Sequence, residues 1–557
     1  MDFNHYFHNE EIEAVLNEWA QSYPHLLTVE TIGASHEGRP IWLAALTHQA
    51  SGPAVEKPAV WLDANIHATE LAGTTTVLYF LHQALTGYGQ DERITRLLEN
   101  AAFYIVPRVN PDGAALALAK QPRLLRSGVR PYPWAEKDEG IHAQDLDGDG
   151  RILQMRIPDP NGDWKCSDQD PRLMVKRAPD EQGGQYYRLL PEGLLENYDG
   201  FVVKVARPLA GLDFNRNFPF EWQTEDQQRG AGLYPASEPE VRAVVDFVAR
   251  HPNINYALTF HTYSRALLRP FSTRPDDAMN FHDLRVFQEI GAIGTRLTGY
   301  RSVSTYHDFR GHAAEMTYGA FDDWVYDHLG AFVWTVEQWD LPTEAGIANR
   351  KLREWYWNHP PEDDLKILRW VDQHAPQMGY VDWYPYEHPQ LGRVELGGWN
   401  VLFTWHNPPP PQMAKEAALH VPFICAIAQT LPRLSIHHFT AEALSETTWL
   451  LDLGVENSGY LPTYTSQQAK KRGAARPVFA ELSLPENARL VTGRARQEAG
   501  HLEGRSNKDT LSSAHAASPT DNRARLTWVI EAPRGSSVQV TVRSERAGWV
   551  RQTITLS

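Results

Sequence analysis

The chain has 557 residues, with 53 basic and 69 acidic side chains and a formal net charge of −16. This length allows two or more domains, and the acidic balance argues against nucleic acid or an anionic membrane as a main partner. The two cysteines, Cys166 and Cys425, exclude a disulfide framework. The start of the chain lacks a basic, apolar leader, and no apolar run is long enough to span a bilayer. These features predict a cytoplasmic protein and do not exclude export by another route.

Predicted strands and helices alternate along the first part of the chain. Apolar, β-favouring residues predict a strand over 59–66, and the helical spacing after Glu70 predicts a helix that follows it. The other predicted elements here are a helix over 10–20, two strands within 27–47, buried strands over 102–109, 254–260 and 331–337, and a helix over 415–431. This alternation indicates an α/β sheet domain.

Two changes of composition divide the rest of the chain. Residues from about 128 to 210 are rich in Pro, Gly, Asp and Arg, which predicts a long insertion with irregular structure. Beyond residue 433 the pattern changes to short alternating strands, predicted over 449–455, 526–530, 538–542 and 550–556. This second pattern predicts a small all-β sandwich. The predicted domains are therefore 1–432 and 433–557.

His67 and Glu70 lie at the turn between the strand over 59–66 and its helix. Open α/β sheets bind their ligands at such carboxyl ends of strands. An imidazole and a carboxylate at this spacing can bind one metal ion, although the same spacing is common by chance. A catalytic zinc needs a third protein ligand and an open position for water, so this pair alone does not predict a site.

Further segments resemble the zinc carboxypeptidase family, also called the M14 metallopeptidases or funnelins. The His67-x-x-Glu70 turn resembles the first two zinc ligands of the family, and the segment 258–264 resembles the one that carries the third, here His261. The strand that ends at Glu337 resembles the one that supplies the general base. The resemblance implies a bacterial-type member with a mixed α/β sheet, helices on both faces and one Zn²⁺ per chain. The long insertion and the C-terminal β domain would be additions to that fold.

The motif Asp213-Phe214-Asn215-Arg216 resembles the substrate-anchoring motif of the family. A guanidinium fork and an amide donor suit the free carboxylate of a peptide C-terminus, so Asn215 and Arg216 are predicted to bind substrate. Asp213 is predicted to accept a hydrogen bond from the second ring nitrogen of His67, which would fix the tautomer of that ring.

Arg126 resembles the arginine that stabilises the oxyanion in the family. A cation beside the metal stabilises charge that develops only in the transition state. Arg123 and Arg130 are close enough in sequence to be alternatives.

Two residues bear on substrate selection. Asp322 precedes Asp323-Trp324 and matches the position at the base of the family's pocket for the C-terminal side chain. An aspartate there implies a preference for Lys or Arg, and the alternative is that Asp322 caps a helix or faces solvent. Tyr318 is the nearest match to the substrate-capping tyrosine and is otherwise a packing residue. Thr69 replaces an arginine that many members carry.

The insertion contains Asp145, Asp147 and Asp149 in an Asp-x-Asp-Gly-Asp-Gly run. Carboxylates at alternate positions with glycine at the bend suit Ca²⁺, but Arg156 occupies the position of the glutamate that ends an EF-hand loop. The expectation is either a calcium loop of another kind or a solvated acidic turn.

The functional expectation is a zinc-dependent metallocarboxypeptidase that hydrolyses the C-terminal bond of peptides through a metal-activated water. The first alternative is a zinc amidase of the same fold that acts on cell-wall peptides or N-acyl amino acids. The second is a non-catalytic binding protein with a degenerate peptidase domain. The expected partner is a peptide with a free C-terminal carboxylate, and the sequence leaves the oligomeric state open.

Overall fold

The computed structural model describes residues 1–310, 316–348, 350–506, 508 and 519–557, without the side chains of residues 352 and 353. Its helices are α1 (Asn9–Ser22), α2 (Ala72–Gly87), α3 (Glu92–Asn100), α4 (Pro111–Ala117), α5 (Pro239–Arg250), α6 (Phe281–Thr298), α7 (Phe321–Trp324), α8 (Leu341–Glu344), α9 (Leu352–Trp357), α10 (Pro361–His374), α11 (Pro410–Gln429) and α12 (Gln467–Arg472).

The described strands form five sheets. They are β1 (Leu27–Ala34), β2 (Pro40–Leu46), β3 (Ala59–Ala64), β4 (Ala102–Val106), β5 (Gly140–Ala143), β6 (Gln154–Pro158), β7 (Trp164–Cys166), β8 (Met174–Lys176), β9 (Tyr187–Pro191), β10 (Gly193–Glu196), β11 (Ile254–Thr262), β12 (Ala266–Arg269), β13 (Arg301–Ser304), β14 (Phe332–Gln338), β15 (Tyr380–His388), β16 (Gly392–Trp399), β17 (Leu434–Ala443), β18 (Thr448–Asn457), β19 (Val478–Ser483), β20 (Arg489–Thr492), β21 (Arg496–Gly500), β22 (Arg523–Glu531), β23 (Ser537–Ser544) and β24 (Gly548–Thr555).

The largest sheet has the strand order β1-β2-β4-β3-β11-β14-β12-β13. Its central strands β4, β3, β11 and β14 are parallel, whereas β1 and β2 pair antiparallel with their neighbours, and β12 pairs antiparallel with β14 and parallel with β13. The sheet is therefore mixed, as the sequence predicts. Because the central strands are parallel, the carboxyl ends of β3, β11 and β14 meet at one edge of the sheet.

Helices cover both faces of this sheet. Trp61 and Tyr104 pair across β3 and β4 and both contact Phe247 of α5, with ring centroids 5.7 and 5.2 Å apart. Phe103 points to the opposite face because side chains alternate along a strand, and its ring lies 5.1 Å from that of Phe80 in α2. These contacts confirm the predicted α/β fold with helices on both faces.

The insertion is more regular than the sequence analysis expects. Strands β6, β9, β7 and β8 of the insertion extend the β15–β16 hairpin into a six-stranded sheet, and β5 and β10 form a separate pair. The expectation of irregular structure over 128–210 is corrected here. Its strands are short, and β6 pairs with β16, which lies more than 200 residues later, so a local sequence window contains little of the pattern.

Two four-stranded sheets, β17-β18-β22-β20 and β21-β19-β23-β24, follow residue 433. Alternate residues of β18 (Trp449, Leu451, Leu453, Val455) and of β23 (Val538, Val540, Val542) point into one shared core. This is the predicted all-β region, with the short helix α12 added.

Arg546 joins this region to the large sheet domain. It is 2% exposed, and its guanidinium donates hydrogen bonds to the backbone oxygens of Ile254 at 3.2 Å and Leu329 at 2.6 Å. Burial lowers the pKa of Arg546 to about 10.

Within the described residues, no helix combines the length and the apolar character needed to cross a membrane.

Candidate active site

The turn after β3 is shaped by Asn65 and by close packing of α2. Asn65 adopts a left-handed conformation with φ 60°, and its side-chain amide donates to the backbone oxygens of His67 at 2.7 Å and Glu70 at 3.1 Å. A side chain on Gly73 would approach the Cβ atoms of Phe260 and Ala64 within 2.9 Å. The absence of that side chain lets α2 begin directly against β11 and β3, which places Glu70 close to the end of β11.

His67, Glu70 and His261 converge at this edge of the sheet. His67 Nδ1 lies 2.8 Å from one carboxylate oxygen of Glu70, and His261 Nδ1 lies 2.9 Å from the other. The two Nδ1 atoms are 3.0 Å apart. The three residues are 3%, 4% and 1% exposed, respectively. The structure thus brings together the three predicted metal ligands.

Each histidine ring also has a partner at its Nε2 atom. His67 Nε2 lies 3.1 Å from Asp213 Oδ1, and its Nδ1 lies 2.8 Å from Glu70 Oε1, so the ring has a carboxylate on each side. A proton on Nε2, shared with Asp213, would leave the Nδ1 lone pair free for a metal ion. Thr259 donates its hydroxyl hydrogen to Asp63 at 2.7 Å and can therefore accept from His261 Nε2, which lies 3.3 Å away. The same tautomer of His261 would leave its Nδ1 lone pair free as well.

This arrangement fits a zinc ion. In these tautomers two imidazole lone pairs and the oxygens of Glu70 converge, and a cation among them would offset the repulsion between these acceptors. Two histidine nitrogens and a carboxylate oxygen form the donor set of many hydrolytic zinc sites, in which the fourth position stays open. Apart from the acidic loop considered below, this is the only group of three potential metal ligands found among the described residues.

Arg126 lies beside the ligands, and the two alternative arginines do not contact them. Arg126 Nη1 donates to Glu70 at 3.0 Å, and its Nε donates to Asp213 at 3.1 Å. Its side chain is 48% exposed and so reaches the surface beside the ligands. Arg130 instead forms an ion pair with Glu238 at 2.6 Å, and Arg123 is exposed. The geometry therefore favours Arg126 over Arg123 and Arg130.

Glu337 lies next to His261 in the sheet. The two residues are paired in the parallel register of β11 and β14, so their side chains share a face. Burial raises the pKa of Glu337 well above its usual value, and the charge of Glu70 adds to this shift, while Arg126 opposes it. A bound cation would also act in the opposite direction and favour the carboxylate.

Asn215 and Arg216 belong to a single 3-10 turn, Phe214–Arg216, that Asp213 caps. Arg216 Nη1 donates to the backbone oxygen of Asn215 at 2.8 Å. Asn215 Oδ1 accepts from the N–H of Phe321 at 2.8 Å, so the two donor hydrogens of its amide point away from that contact. The turn therefore presents a guanidinium and an amide on one short segment.

Asp322 follows Phe321 and is buried. It is 4% exposed, and its carboxylate accepts from the Thr335 hydroxyl at 3.2 Å and from the N–H of Asp323 at 3.0 Å. Burial raises the pKa of Asp322, and the positive charge of Arg216 opposes that rise. Thr335 precedes Glu337 by two residues on β14 and so shares its face of the sheet.

Tyr318 is half-buried, and its backbone N–H donates to Gln228 at 3.0 Å. The next residue, Gly319, has φ 66° and lies so close to the backbone oxygen of Arg216 that a Cβ atom would be 2.3 Å from it. Tyr318 therefore lies beside the turn that presents Arg216.

The carboxylates of Asp145, Asp147 and Asp149 lie within 4.8 Å of one another. Asp145 accepts from the N–H groups of Gly148 and Gly150 at 2.7 and 2.9 Å. Asp147 accepts from the hydroxyl of Tyr384 at 2.5 Å, and Asp149 forms an ion pair with Arg151 at 2.6 Å. The loop thus satisfies part of its charge with its own donors.

Three residues near the ligands are missed by the sequence analysis: Tyr263, His406 and Asn407. The side chain of Asn407 accepts from the N–H groups of Leu71 and Ala72 at 2.7 and 3.0 Å and donates to the backbone oxygen of Thr69 at 2.7 Å. It lies more than 330 residues from that turn in sequence, so only a contact of the folded chain reveals it.

Most of the chain matches known protein families. A family profile described as zinc carboxypeptidase matches residues 12–356, and one described as a domain of unknown function matches 433–555. The chain is 25% identical to mouse carboxypeptidase A6 over 327 residues, which cover 57% of this chain and 56% of that protein. It is 26% identical to carboxypeptidase B of Astacus astacus over 342 residues, which cover 60% of this chain and 87% of that protein.

A solved structure of carboxypeptidase A from Helicoverpa armigera is also similar. It has 18% sequence identity and a TM-score of 0.40, and the match covers 67% of this chain and 76% of that one. The match thus covers little more than half of the mouse relative. It covers most of the Astacus carboxypeptidase B and of the Helicoverpa carboxypeptidase A.

Proposed function

The chain belongs to the zinc carboxypeptidase family, and we propose that it is a metallocarboxypeptidase that removes the C-terminal residue of peptides. The observation that carries the proposal is the convergence of His67, Glu70 and His261 beside Glu337, which is paired with His261 in the sheet. The proposed domains are a catalytic domain over 1–432 and a β-sandwich domain over 433–557.

Each of the surrounding residues has a role in this proposal. When bound, zinc supplies a Lewis acid that polarises the scissile carbonyl and makes a water more acidic. Glu337 takes a proton from the attacking water, whose oxygen bonds to the carbonyl carbon, and returns a proton to the leaving nitrogen as the C–N bond breaks. Arg126 stabilises the negative charge that develops on the carbonyl oxygen.

Asn215 and Arg216 would bind the terminal carboxylate, and Asp322 would select the side chain. The guanidinium and the amide on one turn suit a carboxylate, and a buried carboxylate close to Arg216 suits a C-terminal Lys or Arg. Tyr318 would cover the bound residue from the neighbouring segment. These assignments are supported by the shared contacts of the two segments, from Asn215 to Phe321 and from Gly319 to Arg216.

The alternative function is a zinc amidase, which would use the same chemistry. Arg216 serves a free carboxylate in an acyl amino acid as well as in a peptide, so the turn does not separate the two activities. A non-catalytic role is disfavoured because the ligands, Glu337, Arg126 and the anchoring turn are all retained and lie together.

The test combines metal analysis with a substrate panel. Wild-type protein should contain one zinc per chain by elemental analysis, and His261→Ala should contain far less. Peptides with a blocked N-terminus and a free C-terminal carboxylate should be hydrolysed faster than N-acyl amino acids or cell-wall peptides. The Glu337→Gln variant should retain zinc while losing most turnover. Full zinc occupancy in His261→Ala, or wild-type kcat in Glu337→Gln, would contradict the assignment.

Calcium binding by the Asp145 loop is a separate prediction. Terbium luminescence excited through nearby aromatic rings, such as Tyr384, should report binding at micromolar metal and should be lost in Asp147→Asn. Luminescence that is equal in the variant would leave the loop as an acidic turn closed by its own donors.

A further inference from the structure

Glu337, the proposed base, is oriented by its backbone. Among the described residues, no backbone or side-chain donor forms a hydrogen bond with its carboxylate. Its strand β14 pairs with β11 on one side and β12 on the other, where the partners of Glu337 are His261 and Ala266. The direction of the Glu337 side chain therefore depends on how firmly the end of β14 is held.

The backbone just after Glu337 adopts a strained conformation. Trp339 has φ 61°, which is rare for a bulky side chain. Such a conformation persists only where surrounding contacts fix it, and it is common at active sites. Between these two residues, the buried amide of Gln338 donates to the Thr76 hydroxyl of α2 at 2.7 Å. The end of β14 is therefore held by partners outside the sheet.

Trp339 has hydrogen-bond partners at its N–H, its backbone oxygen and its indole. The N–H donates to Glu416 Oε1 at 3.0 Å and to the hydroxyl oxygen of Tyr300 at 3.1 Å, and that hydroxyl donates to the same Oε1. The other two partners are backbone groups, namely the N–H of Ser264 at 2.8 Å and the oxygen of Thr404 at 2.7 Å. A carboxylate is a stronger acceptor than a hydroxyl, so Glu416 is the side chain that contributes most to holding Trp339.

Glu416 is a buried anion on α11. It is 3% exposed, and its Oε2 lies 3.5 Å from a guanidinium nitrogen of Arg265, which also pairs with Glu344. Burial favours the neutral form of Glu416, but His420 and the positive charge of Arg265 outweigh burial and lower the pKa of Glu416 to about 2. Glu416 is thus ionised at neutral pH and accepts the N–H of Trp339 with its full charge.

We propose that Glu416 is a positioning residue, which holds the N–H of Trp339, fixes the end of β14 and so directs the Glu337 carboxylate towards the attacking water. This inference rests on the proposed carboxypeptidase function, in which Glu337 takes a proton from that water. Misplacing a catalytic group by about 1 Å can cost roughly 100-fold in rate. Glu416 lies outside residues 12–356, which the zinc carboxypeptidase profile matches.

The test compares two variants that separate the place of the acceptor from its charge. Glu416→Asp keeps the charge and withdraws the oxygen from Trp339, so kcat should fall roughly tenfold or more, with KM and zinc content close to wild type. Glu416→Gln loses the charge and keeps an oxygen in place, so it should retain most of kcat. Glu344→Gln is the matched control, because it removes the other carboxylate that pairs with Arg265, and its kcat should equal that of wild type.

A double variant shows whether Glu416 acts through Glu337. Because Glu337→Gln already lacks the base, adding Glu416→Asp should lower its residual single-turnover rate by less than about twofold. A general loss of structure would instead multiply the two effects, and that result would overturn the inference.

Three further results would also overturn it: wild-type kcat in Glu416→Asp, loss of zinc together with kcat in that variant, or a larger loss of kcat in Glu416→Gln than in Glu416→Asp. In each case, hydrolysis by the wild-type protein still upholds the proposed function. No hydrolysis of any peptide overturns the proposed function, and this inference falls with it.

Discussion

Replacing Asp322 by asparagine should remove a preference for C-terminal Arg or Lys. The substitution keeps the shape of the side chain: an asparagine oxygen can still accept from the N–H of Asp323, and its amide can donate to the Thr335 hydroxyl. The change is therefore mainly one of charge. A basic substrate side chain would lose its partner, whereas an apolar side chain would no longer face a buried carboxylate.

The size of the effect follows from burial. Asp322 is 4% exposed, so solvent screens its charge weakly. A charge-assisted hydrogen bond to a buried carboxylate contributes about 1.5–3 kcal/mol, and leaving a buried charge unpaired costs about as much or more. The preference for Arg over Phe should therefore fall by roughly 100-fold in Asp322→Asn, since about 1.4 kcal/mol corresponds to tenfold.

The assay measures kcat/KM for two N-terminally blocked peptides that differ only in their C-terminal residue, which is Arg or Phe. Asp323→Asn is the matched control, because it removes the adjacent buried carboxylate, whose two oxygens accept from the N–H of Ser272 at 3.0 and 3.1 Å. Equal values for the two peptides in wild type would refute the reasoning. So would a ratio that changes in Asp323→Asn and not in Asp322→Asn.

The remaining predictions concern Asp322 at low pH, the oxyanion and the domain junction. Because burial raises the pKa of Asp322, its charge is lost as the pH falls through that raised value, so the Arg preference in kcat/KM should decline at a higher pH than for an exposed aspartate. Arg126→Met should lower kcat by roughly 10²–10³ with zinc content retained, and Arg123→Met should not. Arg546→Met should lower the thermal unfolding midpoint by several degrees in calorimetry, because it leaves the buried backbone oxygens of Ile254 and Leu329 without their donor.

The sequence is sufficient to predict the part of the site that local patterns encode. His67 and Glu70 occupy a strand-to-helix turn, and His261 and Glu337 lie one residue before the ends of β11 and β14, close to where hydrophobic patterning places them. The parallel register of β11 and β14 then brings His261 and Glu337 side by side. The grouping of these residues into one site came from the resemblance to the zinc carboxypeptidase family.

The strand pairings of the insertion and the contacts of Asn407 cannot be predicted from local sequence patterns. Strand β6 is flanked by β16 and β9, and Asn407 contacts the turn at Thr69, so these features depend on pairings between distant parts of the chain. Three-residue strands such as β7 and β8 are too short for an alternating pattern to stand out. Composition indicates an insertion but gives no information about which strands pair with its strands.

Asp213 shows why the parts of this site should not behave independently. One of its oxygens accepts from His67 at 3.1 Å and from the N–H of Asn215 at 2.9 Å, and the other accepts from Arg126 at 3.1 Å. A single carboxylate thus contacts the proposed metal ligand His67, the proposed oxyanion-stabilising Arg126 and the turn that carries the proposed substrate anchor Arg216. Residues that share a partner in this way usually show non-additive energies. Loss of Asp213 should therefore reduce metal affinity, kcat and carboxylate binding together, whereas each single replacement around it should affect mainly one of the three.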